Sequence, residues 1–330
     1  MLTGDNINTA IAIGKELGLL NGKYKAVEAT YIDTLSDEEL RSEITTISIV
    51  ARSKPDTKMR IVEALQSNGE VVAVTGDGIN DAPALTKADV GIAMGIAGTE
   101  VSKNAADIIL TDDSFGTIVK GIKWGRGIYE NFQRFIQFQI TVNIIAFLTA
   151  ILSVVLNFQM PFTTIQLLWV NIIMDGPPAL SLGLEPVRNA VLNRKPTNRN
   201  ASIITKQMLK SMIANAIYIT CVLMIQMKFD ILGAGFPKVG VTEPNEMQTV
   251  LFALFAFSAL FNAFNCREFG TDSIFPNIAK NTIFLKIITI TAVAQIVITE
   301  VFSKFFNAVS LSGTMWLNDN WIIFTYNSSK

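Results

Sequence analysis

The stretch Val71–Leu85 reads VVAVTGDGINDAPAL. It starts as a run of small β-forming residues and passes, after Gly76, into a group of polar side chains. Asp77, Asn80 and Asp81 lie within five residues of one another. An apolar run that ends in glycine predicts a buried strand followed by a turn. Two carboxylates and an amide at the end of a strand supply oxygen ligands for Mg²⁺ or for phosphoryl chemistry, so we expect a ligand site here.

The residues around this stretch, from 1 to about 115, have the pattern of an α/β domain. A helical pattern, TKMRIVEALQSNG, ends at Gly69, which is typical of a helix stop. It lies among short β-rich runs, namely TISIVAR, EVVAVTG, VGIAM and DIILT. Strands that alternate with helices predict a parallel, doubly wound sheet. Such sheets bind ligands at the carboxyl ends of their strands, where Thr75, Asp77 and Asp81 fall.

The second half of the chain has a different composition. Half of the 330 residues are hydrophobic and 17% are charged, against about 25% charged in soluble proteins. From about Asn131 the chain contains FIQFQITVNIIAFLTAILSVVL, which is long enough to cross a bilayer. Four further candidate spans lie near Ile165–Leu184, Met208–Ile231, Val250–Phe264 and Ile283–Phe302. We therefore expect five full spans, and the start of a sixth after Leu317.

Loop charges predict the orientation of these spans. The segment Arg188–Lys210 contains Lys and Arg but no acid, so the positive-inside rule makes it cytoplasmic. The loop Pro237–Glu246 has one Lys and two Glu, which favours the far side. The α/β domain is then cytoplasmic. We expect residues 116–135 to form a stalk helix that continues into the first span, and residues 136–330 to form the membrane bundle.

Composition also excludes some functions. There is no histidine, so an imidazole base is excluded. A net charge of −1 without a basic stripe argues against a nucleic-acid partner. Cys221 and Cys266 lie in apolar surroundings, which suggests neither a disulfide framework nor a zinc site.

The heptapeptide TGDGIND resembles the corresponding motif of the P-type ATPases. The resemblance implies a partial haloacid-dehalogenase-like (Rossmann-like) phosphorylation domain, followed by a transmembrane helix bundle. It assigns Mg²⁺ to Asp77 and Asp81, and catalytic roles to Asn80 and Asp81. It also implies ATP as the energy source, although the family's nucleotide-binding domain is not among these 330 residues.

Two further motifs occur in the order that this family has them. LTGDN at Leu2–Asn6 resembles the phosphate-contacting loop, which makes Thr3 and Asp5 candidate catalytic residues and Thr3, Gly4 and Asp5 candidate binding residues. Lys58, in ARSKPDTK, matches the lysine that neutralises phosphoryl charge. Phosphoryl transfer depends mainly on positioning and on charge stabilisation, which these residue types provide.

The membrane half contains a second candidate site. In QLLWVNIIMDGPPALSLGLEP, Asn171 and Asp175 stand at i and i+4, which places them on one face of an α-helix. Gly176–Pro178 would then interrupt the helix inside the bilayer. An ionisable residue at that depth is costly and is a functional hypothesis by default. Broken helices also release carbonyl groups that can bind cations.

This segment resembles the sixth membrane helix of calcium-pumping P-type ATPases, and Asn143 matches the asparagine of their fifth helix. The resemblance implies Ca²⁺ bound by Asn143, Asn171 and Asp175. Ala146 and Met174 stand where two-site pumps carry oxygen ligands, so the chain is similar to the single-site, plasma-membrane type. The expected location is a plasma membrane or a vacuolar or other organellar membrane.

The family's nucleophile is the aspartate of an Asp-Lys-Thr-Gly-Thr sequence, which does not occur in these residues. We therefore expect about the last third of a pump, which alone forms no phosphoenzyme and needs the missing N-terminal part as its partner. One alternative is a non-catalytic paralogue that regulates a full-length pump. A less favoured one is a membrane-tethered phosphatase of the haloacid-dehalogenase type.

Overall fold

A computed structural model describes residues 1–236, 244–268 and 280–316. The chain divides into two compact units. The first comprises Met1–Ile122 and Arg194–Ala201, and the second comprises Lys123–Asn193 and Ser202–Lys330.

The first unit is an α/β domain with parallel strands. Its strands are β1 (Lys25–Glu28), β2 (Ile47–Ala51), β3 (Ala73–Gly76), β4 (Val90–Met94) and β5 (Ile108–Leu110). Its helices are α1 (Ile7–Glu16), α2 (Ala29–Thr34), α3 (Asp37–Glu43), α4 (Pro55–Ser67), α5 (Ala82–Lys87) and α6 (Glu100–Ala105). The four predicted strands are confirmed as β2 to β5, and the predicted helix is α4. Gly69 follows α4 with a positive φ of 84°, a conformation that favours glycine at a helix end.

The strands form two parallel sheets rather than one. β1 pairs with β2, and β4 lies between β3 and β5. Leu2 adds a parallel bridge to Val50 of β2. Within the part of the chain that the structure describes, β3 pairs with β4 alone, so its other edge is open.

Helix α4 packs on β2 and also contacts α5. Ile61 and Ala64 are buried in one cluster with Val50. Glu63 forms an ion pair with Lys87 at 2.8 Å across the gap to α5. The same helix therefore supports the end of β2 and the segment that follows β3.

The second unit is helical. Its helices are α7 (Phe115–Val155, which begins within the first unit's residues), α8 (Thr164–Trp169), α9 (Gly176–Leu182), α10 (Lys206–Phe229), α11 (Glu246–Asn265) and α12 (Thr282–Glu300). By length and composition, four helices in the described ranges could cross a membrane, namely α7, α10, α11 and α12.

The predicted span near Ile165–Leu184 has an irregular form. It consists of α8, a π-helix at Val170–Asp175, and α9, which follow one another without a gap. The expectation that Gly176–Pro178 breaks the helix is therefore corrected. The chain stays helical through both prolines because they fall in the first turn of α9, where proline's missing N–H is tolerated. The irregularity lies in the π-helix just before them. The predicted start of a sixth span, after Leu317, lies outside the described residues.

Helix α11 forms the centre of the second unit's core. Nearly every residue from Met247 to Asn265 is buried, including Phe252 and Phe255. It packs against α10, α12, α9 and the π-helix. An all-round apolar helix of this kind is expected at the centre of a bundle.

Candidate functional site

The loop after β3 is organised around Asp81. Its Oδ1 accepts a hydrogen bond from Lys58 Nζ of α4 at 2.6 Å. Its Oδ2 accepts the backbone N–H groups of Asp77 and Gly78, at 3.2 Å and 3.1 Å. The side chains of Lys58 and Asp81 are only 14% and 12% exposed, so the pair is largely shielded from water.

The charge state of Asp81 follows from these contacts. Burial by itself raises the pKa of the Asp81 carboxyl, but the hydrogen bond and charge of Lys58, with the N–H groups of Gly78 and Asp77, outweigh it. The net pKa is lower than the usual value of an aspartate. Asp81 is therefore an ionised, fully hydrogen-bonded carboxylate that fixes both the loop and Lys58.

Gly76 is required by the same arrangement. A Cβ atom at this position would lie 2.4 Å from Cβ and 2.8 Å from Cγ of Asp81. At Gly78 the nearest atom would be 3.6 Å away. Gly76 thus allows the strand end to approach Asp81 closely.

Asp77 has the opposite character to Asp81. Its residue is exposed, and its carboxylate has no hydrogen bond or ion pair within the described part of the chain. Its backbone is anchored, because its carbonyl accepts the N–H of Thr99 at 2.9 Å and the hydroxyl of Ser102 at 3.0 Å. A carboxylate on a fixed backbone, open to solvent, fits a hard cation such as Mg²⁺.

The two aspartates therefore do not have equal claims to the predicted Mg²⁺. Both oxygens of Asp81 already accept hydrogen bonds from protein donors, whereas the Asp77 carboxylate accepts none in the described structure. Asn80, three residues after Asp77, is exposed. In the described ranges, no group of three or more His, Cys, Asp or Glu could hold a metal ion.

The predicted phosphate loop runs beside the end of β2. The N–H of Thr3 donates to Val50 O at 3.0 Å, and the N–H of Ser53 donates to Thr3 O at 2.9 Å. The Thr3 hydroxyl donates to Asp5 Oδ2 at 3.0 Å and accepts the Asp5 N–H at 3.1 Å. No atom lies within 4 Å of a Cβ built on Gly4, so its backbone is open to a ligand.

In the second unit, Asp175 is the outstanding polar residue. It is fully buried at the end of the π-helix. Neither of its carboxylate oxygens has a hydrogen-bond partner in the described structure. Pro177 and Pro178 follow it and have no N–H group, so neither can donate a hydrogen bond to a carbonyl of the preceding turn.

The other two predicted cation ligands are placed differently. Asn171 and Asn143 are exposed on the surface of the second unit, whereas Asp175 is buried. Asn143 donates its amide to Gln139 O at 2.9 Å, which leaves its carbonyl oxygen available. Asn171 and Asp175 lie in a π-helix rather than in a regular α-helix, and in the described structure the first is exposed whereas the second is buried.

Several supporting groups had no clear sequence signal. Lys58 and Asp81 are 23 residues apart, and only their family motifs linked them. The support of Asp77 by Thr99 and Ser102 was not predicted. Neither was the buried ion pair of Glu185 with Arg267, whose 2.5 Å contact lies inside the second unit. A charged residue next to each of two predicted spans was the signal that could have suggested the second pair.

Two family models match this chain, one within the first unit and one largely within the second. The haloacid dehalogenase-like hydrolase family matches residues 1–89. The family described as cation transporting ATPase, C-terminus, matches residues 159–325. The chain belongs to the cation-transporting ATPases, with a haloacid-dehalogenase-like domain followed by membrane helices.

The curated relatives compared with this chain are calcium-transporting ATPases named as plasma membrane-type. The chain is 43% identical over 319 residues to probable calcium-transporting ATPase 6, plasma membrane-type, of Oryza sativa subsp. japonica, covering 96% of this chain and 31% of that protein. It is 43% identical over 318 residues to calcium-transporting ATPase 4, plasma membrane-type, of Arabidopsis thaliana, with the same coverage. For calcium-transporting ATPase 9 of Arabidopsis the identity is 40% over 328 residues, covering 96% and 30%. The chain spans about a third of the length of these relatives.

Proposed function

We propose that this chain is the C-terminal portion of an ATP-driven pump that exports Ca²⁺ from the cytoplasm through an aspartyl-phosphate intermediate. The observation that carries the proposal is Asp175, a fully buried carboxylate with two unpartnered oxygens. Burying a negative charge without a partner costs free energy, so a carboxylate in this position is expected where a cation binds it during part of the transport cycle. The names of the relatives support Ca²⁺ as that cation.

The cation site in this proposal is built from oxygen atoms. Asp175 supplies the charge, and the carbonyls released before the two prolines supply neutral oxygens. Asn143 and Asn171 supply amide oxygens from an exposed surface, which further membrane helices of the pump would cover. Six to eight oxygen ligands are usual for Ca²⁺, so these groups form part of one site.

In the first unit, the chain's own residues bind and orient the phosphoryl group. Lys58 brings a positive charge, which Asp81 holds at a fixed point beside the loop. Thr3, Gly4 and Asp5, beside the end of β2, would contact the phosphate, and the exposed Asn80 can orient a phosphoryl oxygen. When bound, Mg²⁺ would neutralise phosphoryl charge, and Asp77 would hold it.

The nucleophile must then come from residues outside this sequence. No Asp-Lys-Thr-Gly-Thr sequence occurs among the 330 residues. The open edge of β3 lies directly beside the Asp77 loop, and a further parallel strand could add there. A strand joined at that edge would bring its carboxyl end to the same side as Asp77.

The topology in the proposal follows the loop charges. Arg188–Lys210 lies on the cytoplasmic side, together with the whole first unit. The membrane is a plasma membrane or an organellar one.

The test uses a complete pump whose C-terminal third is this chain, made by fusing it to the N-terminal two thirds of the rice relative. Asp175→Asn should abolish Ca²⁺-dependent phosphorylation from labelled ATP, because the site loses its charge. Phosphorylation from inorganic phosphate should persist, because it does not need the occupied ion site. Asp230→Asn, an equal change at the end of α10, serves as the control and should behave as the unsubstituted pump.

Two results would contradict the proposal. Ca²⁺ dependence that survives Asp175→Asn would show that the ion site is wrongly assigned. A fusion protein that accepts phosphate from neither source would argue for the non-catalytic regulator. Reading the coding DNA upstream of Met1 for an in-frame Asp-Lys-Thr-Gly-Thr would separate that alternative independently.

A further inference from the structure

The segment Gly95–Ser102, which comprises the loop after β4 and the first turn of α6, holds the backbone of Asp77. The Thr99 N–H and the Ser102 hydroxyl both donate to the carbonyl oxygen of Asp77, at 2.9 Å and 3.0 Å. Ser102 is fully buried, and its hydroxyl also lies 2.8 Å from Thr99 O. This hydroxyl is thus held within the fold and is not available to solvent.

Asp113 holds the other end of this loop. Its Oδ1 accepts the N–H groups of Gly95 and Ile96, at 2.6 Å and 3.1 Å. Its Oδ2 accepts the Ala97 N–H at 2.7 Å. These bonds lower the pKa of the Asp113 carboxyl, the one from Ala97 contributing most, so the group stays ionised. Asp113 itself has a φ of +48°, which its three hydrogen bonds help to maintain.

Two glycines of this segment lie close to neighbouring backbone, so neither position has room for a side chain. A Cβ on Gly95 would lie 2.4 Å from Leu110 O, and one on Gly98 would lie 1.9 Å from Met94 O. Backbone atoms cannot give way as flexible side chains can. Hydrogen bonds also hold this segment at both ends, to Asp113 at one end and, through Thr99 and Ser102, to the Asp77 carbonyl at the other.

We propose that Ser102 and Asp113 are positioning residues for the magnesium ligand Asp77. The inference rests on the proposed role of Asp77 as a Mg²⁺ ligand and adds the two residues that hold its backbone in place. The Asp77 side chain makes no hydrogen bond or ion pair in the described structure, so the fold holds this residue through its backbone carbonyl. Fixing that backbone in advance lowers the entropy lost when a cation binds.

The experiment measures metal binding rather than activity. The full 330-residue chain in detergent micelles is titrated with Mn²⁺, followed by electron paramagnetic resonance, and Mg²⁺ is used to displace it. Ser102→Ala and Asp113→Asn should each weaken Mn²⁺ binding by about two- to tenfold, the range for losing about one hydrogen bond. Amide hydrogen exchange over 75–80 should become faster in both variants.

The matched control is Asp112→Asn. This neighbouring carboxylate accepts the Ser114 N–H and the Thr117 hydroxyl and makes no contact with the loop. It changes the charge by the same amount as Asp113→Asn, so a purely electrostatic effect would appear in both. We expect Mn²⁺ binding to be unchanged within about twofold.

Asp77→Asn distinguishes failure of the proposed metal site from failure of the positioning inference. If Asp77→Asn binds Mn²⁺ as the unsubstituted chain does, the proposed metal site itself is wrong. If Asp77→Asn loses binding while Ser102→Ala and Asp113→Asn retain it, the metal site stands and the positioning inference is overturned. Should Asp113→Asn fail to fold, as judged by exchange in α4, Ser102→Ala decides alone.

Discussion

Replacing Lys58 by methionine tests how the Asp77 loop is held. The change removes the ammonium group and keeps a flexible apolar chain of similar length. Asp81 would lose its 2.6 Å hydrogen bond from Lys58 and would keep the two backbone N–H donors. The carboxylate would then lie 12% exposed without a compensating cation.

The expected cost follows from that contact. A hydrogen bond between charged groups contributes about 1.5–3 kcal/mol. If opening of the loop is reversible, this cost makes amide hydrogen exchange over 71–85 about 10- to 100-fold faster. Exchange measured by mass spectrometry on the full chain is a suitable assay, because it reports on this segment alone.

Two comparisons make the result specific. Lys87→Met breaks the ion pair with Glu63, whose side chains are both 44% exposed, and should change exchange by less than about threefold. In a double-mutant cycle, Asp81→Asn combined with Lys58→Met should cost less than the sum of the single changes. If amide hydrogen exchange over 71–85 is equally fast in Lys58→Met and Lys87→Met, or if the double-mutant cycle shows no coupling, the Lys58–Asp81 ion pair does not hold the loop.

The pH dependence has a definite sign. The pKa of Asp81 is lower in the folded protein than its ordinary value of 3.8. The unfolded chain therefore takes up the proton first as the pH falls. The stabilisation is complete above the ordinary value and is lost as the pH falls below it. The difference between the unsubstituted chain and Lys58→Met should accordingly shrink below about pH 4.

Three further changes have defined outcomes. Gly76→Ala should destabilise the loop by about 1–3 kcal/mol in the same exchange assay, since its Cβ would lie 2.4 Å from the neighbouring buried aspartate, whereas Gly78→Ala should change little. Asp175→Asn should raise the thermal stability of the chain in Ca²⁺-free detergent, because a buried charge without a partner is removed, and a lower melting temperature would contradict this. Glu185→Gln should cost about 3–5 kcal/mol, because it removes the carboxylate charge that pairs with the buried Arg267. Glu268→Gln, whose arginine partner is 37% exposed, should cost about 1 kcal/mol, and equal melting temperatures would refute the distinction.

The sequence predicted the elements with strong local patterns. β3 and β4 are apolar runs bounded by turn residues, and their prediction needs no tertiary information. β1 was missed, because Lys25–Glu28 is four residues long, has charged ends and shows no apolar run. The π-helix at Val170–Asp175 was also missed, since side-chain periodicity differs too little between an α-helix and a single π turn.

The candidate sites were predicted unevenly for a similar reason. The motif residues could be named, because their types and order match a family. The different role of each residue could not be predicted, because it depends on contacts between segments that are distant in sequence. Lys58 binds one oxygen of Asp81, whereas the Asp77 carboxylate has no such partner in the described structure. Asp113 binds the backbone N–H groups of Gly95, Ile96 and Ala97, 16 to 18 residues before it, and an aspartate in a turn gives no sign of that.

Both units contain one carboxylate that the chain satisfies and one that it leaves open. In the second unit, both oxygens of Glu185 are used, by Arg267 and by the Asn281 amide at 2.8 Å. Asp175, ten residues earlier, has no partner for either oxygen within the described structure. In the first unit, Asp81 is saturated and Asp77 is open. Partnered carboxylates stabilise the fold, whereas a buried carboxylate without a partner, such as Asp175, costs free energy that a bound cation can return. A cation that binds the folded chain at the hydrated Asp77 stabilises it by mass action. Ligand binding should therefore stabilise this protein at Asp77 and Asp175, and replacing either should remove that stabilisation without loosening the contacts of Asp81 or Glu185.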